Sequence, residues 1–409
     1  MRTVLIYVLM LCAALPAAAQ RPITTPPEIL DTLSSSAREP LTPDMREMAG
    51  VLARAPGNLV AAIRLSQLYY RFATQEGDLR FIGYARRVLD PWWNAPDAAK
   101  ELLLMRANLR QYVHAFEAAL ADLNEALRND PDSVEALALR TNIHTVRADY
   151  ALARADCATM HNFVNRLMGT ACLLSIDGLT GRAQRSYDQL LVTLLRARNA
   201  SPAERAWVLT RLAEIAERLD NAAAAERHYR SALAVNPRDQ YVLAALADFL
   251  LDQNRPREVI ALLRERTASE HLLLRLVLAE NAVGAPEFKA HSAVVGAAFD
   301  AARRGGYAVH EGDESRFALH VLNDPTRALQ LALANWQLQR ESRDARAVLE
   351  AAIAGGNPAA AQPVMDWMQR NDIFSVQLSR LAGDLRIGSA GAAQITGSAA
   401  DLAARTGAR

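Results

Sequence analysis

The sequence lacks several features that would point to particular chemistry. Its formal net charge is only +1, so no basic excess favours nucleic-acid binding, and no long block of one charge indicates an electrostatic tail. Lys100 and Lys289 are the only lysines, which argues against chemistry through a lysine Schiff base. Strand-type alternation does not extend over a useful length, so the chain is expected to be helical throughout.

Signatures of common catalytic and cofactor sites are also absent. The sequence contains no GxSxG elbow, no HExxH, no glycine-rich phosphate loop and no CxxC pair. The densest titratable group comprises His310, Glu311, Asp313, Glu314 and His320. Its two histidines lie ten residues apart across a glycine-containing loop, which matches no standard zinc spacing. The sequence therefore predicts no catalytic residue, no metal site and no cofactor, and the carboxylates are expected to favour the positive end of the following helix.

The longest apolar run lies at the N-terminus. Arg2 precedes the run 3–15, which has the length of a signal-peptide core, and the small residues of 16–19 form a cleavage site. The sequence predicts a signal peptide over 1–19, cleaved after Ala19, and therefore a periplasmic or secreted protein with no membrane span after cleavage.

Two alternatives to cleavage remain open. The run is short for a transmembrane helix, but a retained N-terminal anchor is one alternative. Lipidation at Cys12 is the other, although Leu11 precedes this cysteine where lipoprotein processing prefers a small residue.

Two stretches of the chain repeat one pattern. AAAAERHYRSALAVNP and AALADLNEALRNDP carry small, large and proline residues at the same offsets, namely Ala225, Tyr229, Ala232, Leu233 and Pro237 in the first and Ala119, Leu123, Ala126, Leu127 and Pro131 in the second. Steps of 34 residues extend the match, from Ala119 to Ala153 and from Phe116 to Tyr150. The pattern resembles the second helix and terminal proline of the tetratricopeptide repeat (TPR) consensus.

The resemblance implies an all-α fold, a right-handed superhelical solenoid of antiparallel helix pairs. The clearest units are 100–133, 134–166, 167–200, 206–239 and 240–270, with weaker units at 58–92 and 328–359. Consensus glycines are replaced, as by His114, Ala148 and Asp220. A plain helical bundle is the alternative, and exact recurrence at 34 residues counts against it.

Composition and repeats together divide the chain into six parts. These are the signal peptide (1–19), a partly ordered lead-in (20–41), an N-terminal TPR array (42–270), an irregular helical segment (271–327), C-terminal TPR-like helices (328–386) and a disordered tail (387–409).

In proteins of this family the first helix of each unit lines a concave groove. Carried over unit by unit, the groove would be lined by Asn108, Gln111, Tyr112, Asn142, Thr145, Trp207, Thr210, Glu214, Tyr241 and Asp248. Asn108 and Asn142 occupy the same first-helix position, where some TPR proteins use asparagine to bind the backbone of an extended peptide. A solvated polar face is the alternative.

Two further pairs are candidates for specific roles. Trp92 and Trp93 follow the end of a helix, and one of them is a possible exposed interface anchor, with packing as the alternative. Cys157 and Cys172 are predicted on consecutive antiparallel helices at similar heights, so a disulfide can form between them; two buried thiols that face apart are the alternative.

The sequence thus favours a non-catalytic TPR scaffold of the cell envelope that binds a protein or an extended peptide and no nucleic acid. The first alternative is a membrane-associated component of envelope assembly or transport. A less favoured one is an enzyme subunit with a site in 305–324.

Overall fold

The computed structural model describes residues 41–78, 80–163, 166–304 and 311–385. Within these ranges all regular elements are helices. A last helix, α20, covers 376–385, and two short 3-10 helices cover Asp90–Trp92 and Pro358–Ala361. The other helices are α1 Pro43–Arg54, α2 Leu59–Glu76, α3 Arg80–Val88, α4 Lys100–Tyr112, α5 Phe116–Asn129, α6 Val134–Val146, α7 Tyr150–Phe163, α8 Arg166–Leu179, α9 Ala183–Arg196, α10 Pro202–Arg218, α11 Ala222–Val235, α12 Gln240–Asp252, α13 Pro256–Leu263, α14 Glu270–Val283, α15 Phe288–Arg304, α16 Glu311–His320, α17 Pro325–Leu338, α18 Ser342–Ala354 and α19 Gln362–Arg370.

Consecutive helices pack side by side as antiparallel pairs, and the first helices also contact one another along the array, as α2 with α4, α8 with α10, and α12 with α14. The predicted units fall on the pairs from α4–α5 to α12–α13. The all-α solenoid of helix pairs is confirmed. Helix α12 contacts α14, α14 contacts α16, and α16 contacts α18. Helix packing therefore continues across the domain boundaries predicted at 270 and 327.

The turn inside each pair has a left-handed backbone. The positive φ angles fall at the junction of the two helices in each pair from α4–α5 to α16–α17, at His114, Ala148, Gly181, Asp220, Asn254, Gly284 and Asn323. The residues that stand in place of the consensus glycines therefore have a backbone conformation that a Cβ atom disfavours by sterics. Asn and Asp tolerate this conformation better than other residues with a side chain, so Ala148 (φ 65°) carries the clearest strain.

We expect Ala148→Gly to raise the free energy of unfolding by roughly 0.5–1 kcal/mol, because glycine adopts this φ without steric cost. Urea unfolding followed by circular dichroism measures the change. Ala151→Gly, at an exposed site in α7, is the matched control and should lower stability by about 1 kcal/mol. If Ala148→Gly and Ala151→Gly lowered the free energy of unfolding equally, the turn at Ala148 would not be strained.

Small residues let the helices of a pair approach closely. Ala107 on α4, Ala119 on α5, Ala213 on α10 and Ala225 on α11 have no exposed surface. Larger side chains such as Leu123 fill the space between these contacts. This alternation contributes to the apolar clusters between stacked helix pairs.

The array curves until its first units meet its later ones. Gln240, at the start of α12, donates from Nε2 to the Gln75 carbonyl at 2.7 Å, and Arg238 pairs with Glu76 at 3.1 Å. Gly77 ends α2 with a φ of 73° against Ser269, where an added Cβ would lie only 2.4 Å from the serine Cβ. The seam between α2 and the α12–α14 region is therefore closed by direct contact.

The C-terminal helices pack back against the ends of α6, α7 and α8. The Trp367 indole of α19 donates to the Tyr150 hydroxyl of α7 at 3.2 Å, across 217 residues of sequence. The backbone N–H of Arg340 donates to the Val146 carbonyl at 2.7 Å, and that of Phe374 to the Leu179 carbonyl at 3.0 Å. One apolar cluster accordingly combines α7 and α8 with α16–α20.

A disulfide joins Cys157 on α7 to Cys172 on α8, with Cα atoms 5.6 Å apart. Cys157 is fully buried and Cys172 is 7% exposed, within the cluster shared with the C-terminal helices. The two cysteines are 15 residues apart in the sequence. A disulfide that closes a loop of this length stabilises a fold by about 3 kcal/mol. The bond therefore fixes the helix pair against which the C-terminal helices pack.

Candidate functional site

Polar side chains of α12 and α18 lie near each other in the structure. Tyr241 of α12 and Arg343 of α18 act electrostatically on each other, yet Tyr241 is 46% exposed and the Arg343 side chain 54%. Both side chains are therefore accessible to solvent. Burial, the largest cause, and Glu214 raise the pKa of Tyr241.

We call the region around Tyr241 and Arg343 the inner chamber. Five helices or their first turns contribute to its wall, with Arg211 and Glu214 from α10, Tyr241 and Asp248 from α12, Glu270, His271 and Arg275 from α14, Asp313 and Arg316 from α16, and Glu341, Arg343 and Asp344 at the start of α18.

Tyr241 is held in place by α10. Its hydroxyl donates to Glu214 Oε1 at 2.6 Å, and Arg211 bonds the same carboxylate at 2.9 Å. The Arg211 guanidinium lies 5.4 Å from the Tyr241 ring centroid and 5.7 Å from that of Trp207. These cation–π and hydrogen-bond contacts orient an exposed aromatic ring toward the chamber.

A buried charge cluster closes the α14–α16 side. Arg275, whose side chain is 4% exposed, bonds Asp248 at 3.0 Å and Asp313 at 3.1 Å. Arg316 bonds Asp248 at 2.8 Å. Burial alone would raise the pKa of Asp313, but Arg275, His271 and Arg316 hold it well below its ordinary value. These carboxylates are therefore ionised at neutral pH.

The residues predicted for the groove divide into two groups. Glu214, Tyr241 and Asp248 border the chamber, while Trp207 packs against the apolar clusters and Thr210, 3% exposed, donates to its own helix at Ala206.

The groove residues of α4 and α6 make mostly local contacts. Asn108 donates from Nδ2 to the Leu104 carbonyl of its own helix, Thr145 bonds the Thr141 carbonyl, and Asn142 is exposed. Tyr112 packs edge-on to Tyr70 with ring centroids 6.2 Å apart. The buried Gln111 Oε1 has no partner among the described residues. Peptide capture by the asparagines remains a prediction.

Trp92 and Trp93 are both half-buried against the first core cluster. The Arg86 guanidinium lies 3.5 Å from the Trp93 ring centroid, and Arg106 donates to the Trp93 carbonyl at 2.9 Å. Packing accounts for these contacts, and an anchor role for either tryptophan remains a prediction.

Sequence reasoning missed Glu341 and Arg343, which form the wall opposite Tyr241. Glu341 bonds Arg343 at 2.6 Å, and these residues begin α18 about 100 positions after Tyr241 in the chain. Repeat spacing assigns residues to the inner side of their own unit, so it carries no signal for a later helix that crosses that side.

A surface cavity of about 500 Å³ lies elsewhere, at the seam between α7 and α19. It contains both charge signs, from Arg154 and Arg370 and from Asp149 and Asp372. Arg154 already bonds Asp177 and Thr180. The cavity therefore shows no preference for a ligand of either charge.

Neither a metal site nor a membrane span occurs in the described parts of the chain. No group of three or more His, Cys, Asp or Glu side chains is placed to hold a metal ion there, and no helix there is long and apolar enough to cross a bilayer. His310 of the predicted titratable group lies outside the described residues, as do the predicted signal peptide and the predicted tail. His320 Nε2 lies 3.3 Å from Glu350.

The comparisons with known proteins do not assign the fold, which is defined by the helix pairs of the structure. No family model and no curated protein matches the chain. Among solved structures, yeast Tom70 is 10% identical with a TM-score of 0.35, covering 86% of this chain and 92% of that one. The APC/C hetero-tetramer Cut9–Hcn1 is 11% identical with a TM-score of 0.30, covering 83% and 92%. The helix pairs and their left-handed turns define a TPR-like solenoid.

Proposed function

We propose that this protein is an exported, non-catalytic scaffold of the cell envelope that binds an extended segment of a partner protein in the inner chamber. The observation that carries the proposal is that Tyr241 and Arg343, from two helices far apart in the chain, lie near each other and remain about half exposed. The pair α7–α8 is packed against the chain's own α16–α20. TPR-type folds mostly serve protein binding, although fold alone does not fix function.

Two features support export. The run 3–15 and the small residues before Gln20 have the form of a cleavable signal peptide. The buried disulfide between Cys157 and Cys172 suits an oxidising compartment. An N-terminus at Gln20 on the purified native protein is the expected finding, whereas an intact Met1 terminus would contradict export with cleavage.

Photo-crosslinking from the chamber tests the binding proposal. A benzoylphenylalanine at Tyr241 should capture a partner in the native envelope, because this side chain faces the chamber. The matched control is the same replacement at Leu195. This residue is 72% exposed and lies on α9, the second helix of the pair α8–α9. Purified partner should then bind the wild type at least about tenfold more tightly than Tyr241→Ala with Arg343→Ala, a loss of about 1.4 kcal/mol. Capture from Leu195 alone, or unaltered affinity, would contradict the proposal.

A further inference from the structure

The C-terminal part of the chain bonds the turn of every helix pair from α4–α5 to α12–α13. Positive φ angles mark these turns at His114, Ala148, Gly181, Asp220 and Asn254. The bonds come from two short segments, 339–340 and 373–380, each of which joins consecutive turns. We call these two segments the turn brace.

The first segment joins the turns α4–α5 and α6–α7. Gln339 donates from Nε2 to a ring nitrogen of His114 at 3.0 Å. The next residue, Arg340, donates its backbone N–H to the Val146 carbonyl at 2.7 Å. Gln339 is 8% exposed, so this contact lies within the fold. Two adjacent residues therefore hold two consecutive turns.

The second segment reaches the turn α8–α9 through its backbone. The Phe374 N–H donates to the Leu179 carbonyl at 3.0 Å, and Ile373 forms an antiparallel bridge with Thr180. Ile373 is 8% exposed and belongs to the apolar cluster of α7, α8 and the C-terminal helices. Backbone bonds and burial together fix the segment at this turn.

Side chains of α20 reach the turns α10–α11 and α12–α13. Arg380 bonds Asp220 at 2.6 Å, and Gln377 donates to Asp252 Oδ2 at 2.9 Å. Asp252 also accepts both Nη atoms of Arg346 on α18, at 2.6 and 2.7 Å. Because an α-helix rises 1.5 Å per residue, Gln377 and Arg380 are about 4.5 Å apart along α20. The two turns therefore cannot separate further than these side chains reach.

These links differ from the contacts inside a helical array. In a solenoid each unit contacts its neighbours, and the curvature is the sum of small rotations between successive units. The turn brace joins two or three turns to one short segment, so it restrains several of these rotations together. The seam between α2 and the α12–α14 region joins the two ends of the same units, and its closure therefore depends on all of these rotations.

We infer that the turn brace sets the curvature of the array and thereby keeps the seam closed. The inference concerns the shape of the array and does not depend on what the inner chamber binds. The described contacts of the seam are made by Gln75, Glu76, Gly77, Arg238, Gln240 and Ser269, all outside the brace. Weakening the brace should therefore open a seam that lies elsewhere in the molecule.

A distance measurement across the seam tests this inference in the full chain. Nitroxide labels are attached through Arg71→Cys on α2 and Ala268→Cys before α14, two exposed positions, in a chain that carries Cys12→Ser. Cys157 and Cys172 do not react because they form the disulfide. Double electron–electron resonance then measures the distance between the two labels.

Two variants weaken the brace to different degrees. Leu378→Asp places a carboxylate at a site on α20 that is 1% exposed, and it should release this helix because a buried charge without a partner is strongly unfavourable. Asp252→Asn with Arg380→Gln removes only ion pairs. We expect the mean label distance to increase by at least about 5 Å, half an interhelical spacing, in Leu378→Asp. The double variant should show a second, longer distance beside that of the wild type.

The matched control is Glu226→Gln with Arg230→Gln. It makes the same charge changes at a carboxylate that bonds Arg230 of α11 and Arg255 at the start of α13, a contact between neighbouring units of the array. This control should keep the wild-type distance.

A wild-type distance in both brace variants would overturn the inference. If Leu378→Asp does not fold, a wild-type distance in Asp252→Asn with Arg380→Gln overturns it alone. An increase in the control as large as that in the double variant would overturn it too, because the loss of any ion pair would then open the seam.

Discussion

Replacement of Trp367 by alanine is expected to lower the free energy of unfolding by about 3–5 kcal/mol. The indole is 2% exposed, packs edge-on to Trp336 with ring centroids 5.2 Å apart and donates to the Tyr150 hydroxyl. Truncation leaves a large cavity between α19 and α7, and the Tyr150 hydroxyl loses its donor. Chemical denaturation of the oxidised protein measures the loss.

Two control variants separate packing from the hydrogen bond. Tyr150→Phe keeps both rings in contact and should cost about 1–3 kcal/mol, because the buried indole N–H loses its acceptor. Gln369→Ala, on the exposed face of α19, should stay within about 0.5 kcal/mol of the wild type. A cost below about 1 kcal/mol for Trp367→Ala would show that α19 does not belong to the core.

Removal of Arg275 is the second change with a large expected effect. Arg275→Met should destabilise the fold by about 3–5 kcal/mol at pH 7, because it leaves Asp248 and Asp313 buried without this charge partner. The methionine retains most of the apolar volume, so the loss reports on charge. Arg275→Lys, which keeps a cation, should lose less.

The pH dependence identifies the cause. In the wild type Asp313 has a pKa held well below its ordinary value, so it contributes stability above that ordinary value, and this contribution is lost as pH falls through the folded pKa. Without Arg275 this pKa rises, so the deficit of the variant should be largest at pH 7 and should shrink as pH falls toward about 4. A deficit that is constant from pH 7 to 4 would assign the loss to packing.

The local structure of the helix pairs could be predicted from the sequence because it depends on short-range rules. The recurrence from Ala119 to Ala153 identified the repeat, and His114 and Ala148 marked turns that the structure shows to be left-handed. The disulfide followed for the same reason, since Cys157 and Cys172 belong to consecutive helices.

Repeat spacing could not predict how the C-terminal helices pack against the earlier units. Contacts such as Trp367 with Tyr150 join residues 217 positions apart, and no periodic signal relates a helix to one six units earlier. The packing of α16–α20 against α7 and α8 was therefore not foreseen. Tyr241 and Glu214 were predicted for the groove, which stays a prediction, and Arg343, which lies near Tyr241, was not foreseen.

Residue-resolved hydrogen exchange tests most directly whether the C-terminal helices complete the fold from inside. If α19 belongs to the same cooperative core as α7, its slowest amides should exchange with the same free energy of opening as those of α7, and Trp367→Ala should lower both values together. Exchange of α19 at a free energy of opening several kcal/mol lower, with α7 fully protected, would show that the C-terminal helices detach from an independent array and leave its whole inner side open.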